Sequence, residues 1–201
     1  LALAGRLRAY FAAKGDEASV TRCEDGALAA WTQAHFSSDG ALVFIGSLGI
    51  AARAIAPHVK SKTTDPAVVV ADELGAYSIS LLSGHLGGAN ELALELARFL
   101  EAIPVITTAT DLNGVFAVDS WAKQQGLAIV NPERIKWVSS RLLAGETVKL
   151  KSKFPVEGVL PKGMELTDGP GDILVTYRTR GKPEALKLVP PVVTLGVGCK
   201  K

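Results

Sequence analysis

The sequence is poor in the residues that would make the simplest functional readings available. It holds only two cysteines, Cys23 and Cys199, far apart and without a second Cys or a His at ligand spacing. That excludes a disulfide framework and gives no zinc signature, so two unpaired thiols and no metal site are expected. Charge of one sign is also scarce, since 22 Lys and Arg against 20 Asp and Glu leave a formal charge of +2. No general field draws in nucleic acid, although a local basic patch is not excluded. Long apolar runs are missing too. The run Ala41–Ile45 is too short to span a bilayer, and Arg6 and Arg8 interrupt the start before a signal-type stretch develops. A cytoplasmic protein with no membrane segment is the expectation. There is no internal repeat, and neither a Walker sequence nor a spaced GxGxxG, which weakens a flavodoxin-like nucleotide-binding reading.

What is present suits ordinary globular domains: 48% hydrophobic and 21% charged residues over 201 positions allow two cores. Leu3, Leu7, Tyr10 and Phe11 recur at helical spacing and predict a helix over 2–13 whose preceding strand is missing. Leu42 to Ile45 reads as a buried strand, ended by Gly46, Ser47, Leu48 and Gly49, with an Ala-rich helix to about Val59. Val68, Val69 and Val70 give a second buried strand. Tyr77, Ile79 and Leu81 alternate with Ser78 and Ser80 and predict a half-buried strand able to fold back as a hairpin. Asn90 is the expected N-cap of a helix over 91–101, and Val105 and Ile106 form a short strand after it. Further on, Asp119 and Asn131 are expected to cap two helices, with strands at 147–151, 173–177 and 192–195.

Strands alternating with helices predict an α/β fold: an open, mainly parallel twisted sheet with helices on both faces, followed by a smaller α/β domain. The expected division is 1–115 for the amino-terminal domain, 116–194 for the central one, and 195–201 for the start of a truncated carboxy-terminal domain. Both ends read as cuts through a longer protein.

Two stretches carry candidate chemistry. In the first, Ser83, Gly84, His85, Leu86, Gly87, Gly88, Ala89 and Asn90 lead directly into a helix. Glycines let backbone approach a ligand closely, and a helix amino end favours an anion. His85 could transfer a proton near neutral pH, while Ser83 lacks a nucleophile-elbow context and suits a substrate-binding hydroxyl. A turn built only for structure accounts for the same residues. The second stretch, Thr107, Thr108, Ala109, Thr110 and Asp111, follows a strand, where open α/β sheets bind ligands. Asp111 either orients His85, takes a proton itself, or caps a turn. Which edge the Gly46 to Gly49 loop occupies depends on the direction of the strand at Tyr77 to Leu82. Lys149, Lys151 and Lys153, with Lys60 and Lys62, read as solvated edge lysines or as contacts for a polyacidic substrate.

The run LLSGHLGGANELA followed by PVITTATD closely resembles the cobalt-precorrin-5A hydrolase (CbiG) family of anaerobic cobalamin synthesis. The resemblance extends back through LVFIGSLGIAARAIAP and TDPAVVVADELG, and forward through AVDSWAKQQGLAIVNPERIK to LGVGCKK. It implies hydrolysis of a ring A δ-lactone on a cobalt-precorrin, with loss of a two-carbon unit as acetaldehyde. It implies no cofactor, because cobalt travels on the substrate. His85 and Asp111 then become the catalytic candidates, with Ser83, Gly84, Gly87, Gly88, Asn90, Thr107, Thr108 and Thr110 as substrate-binding ones. The tetrapyrrole is the implied partner, together with other enzymes of the pathway. A noncatalytic tetrapyrrole-binding or scaffolding module is the competing reading.

Overall fold

Val68, Val69 and Val70 are fully buried and set the layering of the first sheet. In the computed structural model, which describes residues 2–24, 26–178 and 184–192, the even and odd members of this run enter different cores. Val68 and Val70 pack with Phe36, Leu42, Phe44, Ala51 and Ile55, whereas Ala67 and Val69 pack with Leu7, Ala89, Ala93 and Leu96. A strand buried on both faces cannot alternate apolar with polar, which is why the sequence shows an unbroken run.

The described chain forms two compact units, Leu1–Thr108 and Ala109–Lys201. The first contains α1 (Ala2–Lys14), α2 (Ala27–His35), β1 (Ala41–Ile45), α3 (Leu48–Ile55), β2 (Ala67–Ala71), β3 (Tyr77–Leu82), α4 (Ala89–Leu100) and β4 (Ile103–Val105). Its sheet has the order β1-β2-β3-β4. The first pair is parallel, β2 and β3 are antiparallel, and β3 and β4 are parallel again. The two cores place α2 and α3 on one face and α1 and α4 on the other, as expected for helices on both faces. Asp72 makes the reversal: its carbonyl accepts from Gly75 N at 3.0 Å and its carboxylate from Tyr77 N at 2.7 Å and Leu74 N at 3.2 Å.

The serine face of β3 departs from the expected polar-out alternation. Ser78 is fully buried, and Ser80 Oγ donates to Asn90 Oδ1 of α4 at 2.7 Å. Ile79, Leu81 and Leu82 pack into the opposite core, so β3 is covered on both sides. At the far side of α4, Lys14 and Glu95 clasp α1 to it. Burial pushes the Glu95 carboxyl up, but hydrogen bonds from Lys14 and Tyr10 outweigh this and leave it below the ordinary carboxylate value.

The second unit contains α5 (Ala109–Leu112), α6 (Val118–Gln124), β5 (Ala128–Ile129), α7 (Glu133–Leu143), β6 (Val148–Ser152), β7 (Met164–Leu166), β8 (Ile173–Val175) and β9 (Leu186–Val189). Its sheet runs β5-β9-β8-β6-β7, with only the β5–β9 pair antiparallel. Across both sheets of the described residues, parallel pairings therefore predominate. The strand expected at 192–195 lies almost wholly outside the described residues. Among those described, no helix is long and apolar enough to cross a membrane.

Three expected caps are replaced. Gly88, with φ of +91°, flanks α4 in place of Asn90, and Ala117 flanks α6 in place of Asp119. Pro132 flanks α7 in place of Asn131, whose side chain reaches β9 instead: Nδ2 donates to Ala185 O at 2.9 Å, and Oδ1 accepts from Lys187 N at 2.8 Å. A tertiary bracket has outcompeted a local cap, because the carboxamide matches the pairing pattern of a peptide group.

Candidate functional site

The loop between β3 and α4 is closed by its own backbone. Ser83 takes a left-handed φ of +58°, unusual for a residue with a side chain, and turns the chain out of the strand. Its carbonyl accepts from Ala89 N at 3.1 Å, and that of Gly84 from Asn90 N at 3.0 Å. Two amides at the amino end of α4 are thus spent inside the loop rather than held out to an anion. The Ser83 hydroxyl donates to Asp65 O at 3.0 Å, so toward a ligand it is an acceptor.

Close packing explains two of the glycines. A Cβ on Gly87 would lie 2.4 Å from Ser83 Cβ and 2.7 Å from Ser83 O. One on Gly84 would lie 2.6 Å from Asn90 Oδ1. Gly88 is required by its positive φ. His85 stands between these constraints, half-buried and engaged in interactions of its own. The backbone on either side of it is held by the Ser83 and Gly84 carbonyl bonds and by the close packing at Gly84 and Gly87.

Asn90 joins this loop to the end of β4. It is buried, accepts from Ser80 Oγ at 2.7 Å, and donates from Nδ2 to Thr108 Oγ1 at 3.0 Å. Since β3 and β4 are parallel, the Ser83 loop and Thr107 with Thr108 occupy one edge of the first sheet. Thr107 is exposed and Thr108 half-buried. The Gly46 to Gly49 loop leaves the opposite edge, because β1 runs antiparallel to β3.

Thr110 and Asp111 belong to the second unit, in α5. Thr110 is buried and Asp111 exposed, and both are engaged in interactions of their own. Among the lysines, Lys149 and Lys153 are exposed, while Lys151 Nζ donates to the carbonyls of Asp168 at 2.6 Å and Gly169 at 2.9 Å. Lys60 and Lys62 are exposed, and the Lys60 amide donates to Asp65 Oδ2 at 2.9 Å. Among the described residues, no group of three or more His, Cys, Asp or Glu side chains could hold a metal ion.

Sequence reasoning missed Asp65 and Ser80. Asp65 fixes the turn before β2 by accepting from the Lys60 and Ser61 amides, and its carbonyl anchors Ser83. An aspartate just before Pro66 offered a turn signal, but nothing local connected it to a loop 18 residues away. Ser80 was visible only as the polar half of an alternating strand.

Residues 30–111 match the family described as Cobalamin synthesis G N-terminal, and residues 116–189 the one described as Cobalamin biosynthesis central region. The chain is 39% identical over 193 residues to the cobalt-precorrin-5A hydrolase of Salmonella typhimurium, covering 88% of this chain and 55% of that protein. It is 36% identical over 210 residues to the cobalt-precorrin-5A hydrolase of Priestia megaterium, covering 94% and 56%. The chain therefore spans about half the length of the curated relatives it matches. A crystal structure of a cobalamin biosynthesis protein G homolog from Sulfolobus solfataricus superposes with a TM-score of 0.54 at 24% identity, over 94% of this chain and 54% of that one. At that identity it supports the fold alone.

Proposed function

Because the chain belongs to the CbiG family of cobalamin-synthesis proteins, of which it carries the N-terminal and central regions, we propose that its full-length protein is a cytoplasmic cobalt-precorrin-5A hydrolase. It would open the ring A δ-lactone of cobalt-precorrin-5A and release acetaldehyde, leaving cobalt-precorrin-5B. The observation that carries this reading is the likeness to two curated hydrolases at 39% and 36% identity, spanning the Ser83 to Asn90 loop and its threonine neighbours.

The reaction sets clear demands. Water adds to the lactone carbonyl once a base takes its proton, and collapse of the intermediate breaks the ring C–O bond to give a carboxylate and an alcohol. Deprotonation of that alcohol lets the adjacent C–C bond break, so acetaldehyde leaves and the electron pair passes to the macrocycle, where it is protonated. His85 is assigned the first proton transfer, and Asp111 its orientation or the second step. Ser83, Asn90, Thr107, Thr108 and Thr110, with Gly84, Gly87 and Gly88, are assigned to the substrate edge. The amides of Ala89 and Asn90 already serve Ser83 and Gly84, so oxyanion stabilisation falls to other donors.

The test is acetaldehyde release by the full-length protein. His85→Ala is expected to slow lactone opening by about 10²-fold or more while leaving the fold intact. Near-normal turnover would remove His85 from the mechanism. A wild-type protein that binds the tetrapyrrole but releases no acetaldehyde is a carrier.

A further inference from the structure

Lysines that the sequence leaves with a single pair of readings, solvated or bound to a polyacid, part company in the structure. Lys149 and Lys153 belong to the second unit. Lys60 and Lys62 lie in the connection between α3 and β2. Because β2 runs antiparallel to β3, that connection arrives at the rim where β3 ends. Contact there is direct: Ser83 Oγ donates to Asp65 O at 3.0 Å, and a Cβ on Gly87 would lie 3.4 Å from Ala67 N. The connection before β2 and the loop after β3 therefore form one continuous surface.

This connection is held from within. Asp65 is buried, and its Oδ2 accepts from the Lys60 and Ser61 amides at 2.9 Å and 3.0 Å. Ser61 O accepts from Thr64 N at 3.1 Å and from Asp65 N at 2.9 Å, while the Ser61 and Thr63 hydroxyls bond each other at 2.8 Å. The Lys60 backbone is thus tied to the Asp65 carboxylate, and the Asp65 carbonyl to Ser83. Lys62 precedes Asp65 by three residues, so extended chain would hold it within about 11 Å of that residue, and the turns bring it closer.

Asp65 is the only acidic residue in this connection, and its carboxylate is committed to backbone amides, so it does not pair with either ammonium group. Both lysines are exposed, and among the described residues neither side chain has an ion-pair partner. The loop at the other end of β2 has the opposite sign, with Asp72 and Glu73. An anion therefore finds unpaired positive charge at the Ser83 end of this strand and negative charge at the far end.

With the Ser83 rim as the substrate edge, as the hydrolase reading has it, we propose that Lys60 and Lys62 receive carboxylates on the periphery of the tetrapyrrole. They select a polyanion and orient it, while the chemistry stays with the loop after β3. Lysine suits carboxylate arms of varying reach, because its ammonium is a compact charge with three donors on a flexible stem. Contacts so far from the reacting bonds are equal in ground and transition states, so they act on KM and not on kcat.

The full-length protein is titrated with uroporphyrin, a fluorescent polycarboxylate tetrapyrrole without a lactone, and KM and kcat are read separately from acetaldehyde release. Lys60→Ala combined with Lys62→Ala should raise Kd and KM by about tenfold at low salt and leave kcat within about twofold. In about 1 M salt, where the Debye length is about 3 Å, the gap from wild type should close. Lys60→Arg with Lys62→Arg should restore binding, and Lys149→Ala with Lys153→Ala should leave it as it was. The assignment is overturned if wild type does not bind uroporphyrin, or if the double alanine variant stays within about twofold of wild type in both Kd and KM. It is equally overturned by a gap that persists in salt, by an arginine pair that restores nothing, or by an equal loss from the Lys149 and Lys153 pair. Binding that depends on Lys60 and Lys62 in a wild-type protein that releases no acetaldehyde refutes the hydrolase and upholds the lysines.

Discussion

The loops after β1 and after β3 look alike in sequence, each a glycine-bearing turn between a strand and a helix, yet different forces shape them. After β3, neighbouring atoms forbid a side chain: Cβ atoms on Gly84 and Gly87 would collide at 2.6 Å and 2.4 Å. After β1 there is space. Gly46 is demanded only by its φ of +145°, and Gly49 meets nothing closer than Ser47 Oγ at 4.0 Å. Glycine in the first case reports a packed, self-bonded loop that carries His85, and in the second a backbone angle alone.

Substitution at Gly87 tests this contrast most severely. Gly87→Ala must displace Ser83 and is expected to cost about 3 kcal/mol, measured by urea denaturation. Gly49→Ala, inside α3, should instead leave stability unchanged or raise it by about 0.5 kcal/mol. Equal effects at the two sites would dissolve the distinction. Next in size is Asn90→Ala, which strips partners from Ser80 and Thr108 and should cost about 2 kcal/mol. Its amide-exchange signature should spread along the β3–β4 edge and spare the loop after β1. The smallest effect concerns the α1–α4 clasp. The Glu95 carboxyl sits below its ordinary value of 4.5 in the folded chain, so its contribution is present above that pH and fades as pH falls through the depressed value. The advantage of the native chain over Glu95→Gln should therefore be measurable at pH 7 and shrink in acid; a constant gap would deny the clasp an electrostatic role.

Much of the architecture was legible because burial leaves a pattern. Val68 to Val70 announced a central strand, and the alternation over Tyr77 to Leu81 announced one able to fold back on it. A helix joining the strands at 77–82 and 105–106 also implied that the loops holding His85 and Asp111 share one edge. The parallel β3–β4 pair brings the Ser83 loop and Thr108 there, whereas Asp111 belongs to the second unit. What stayed hidden depended on partners distant in sequence. Asn90 and Asn131 both preceded helices and both read as caps, yet each bonds to a neighbouring strand or its flank instead. Helix α2 was missed because Gly26 with φ of +82° starts it, without a polar cap to signal the turn. Strand β9 was missed because Lys187 reads as solvent-facing, although it is buried there.

The reversal between β2 and β3 has an electrical consequence. In a wholly parallel sheet with its crossover helices, all those helices begin at one rim, and their partial positive charges accumulate there. Here α3 begins where β1 ends and α4 begins where β3 ends, at opposite rims. The macrodipoles of these two helices therefore oppose one another, and of the two only α4 turns its positive end to the rim of Ser83 and Thr108. A carboxylate-rich ligand at that rim would not find the amino ends of α3 and α4 acting together.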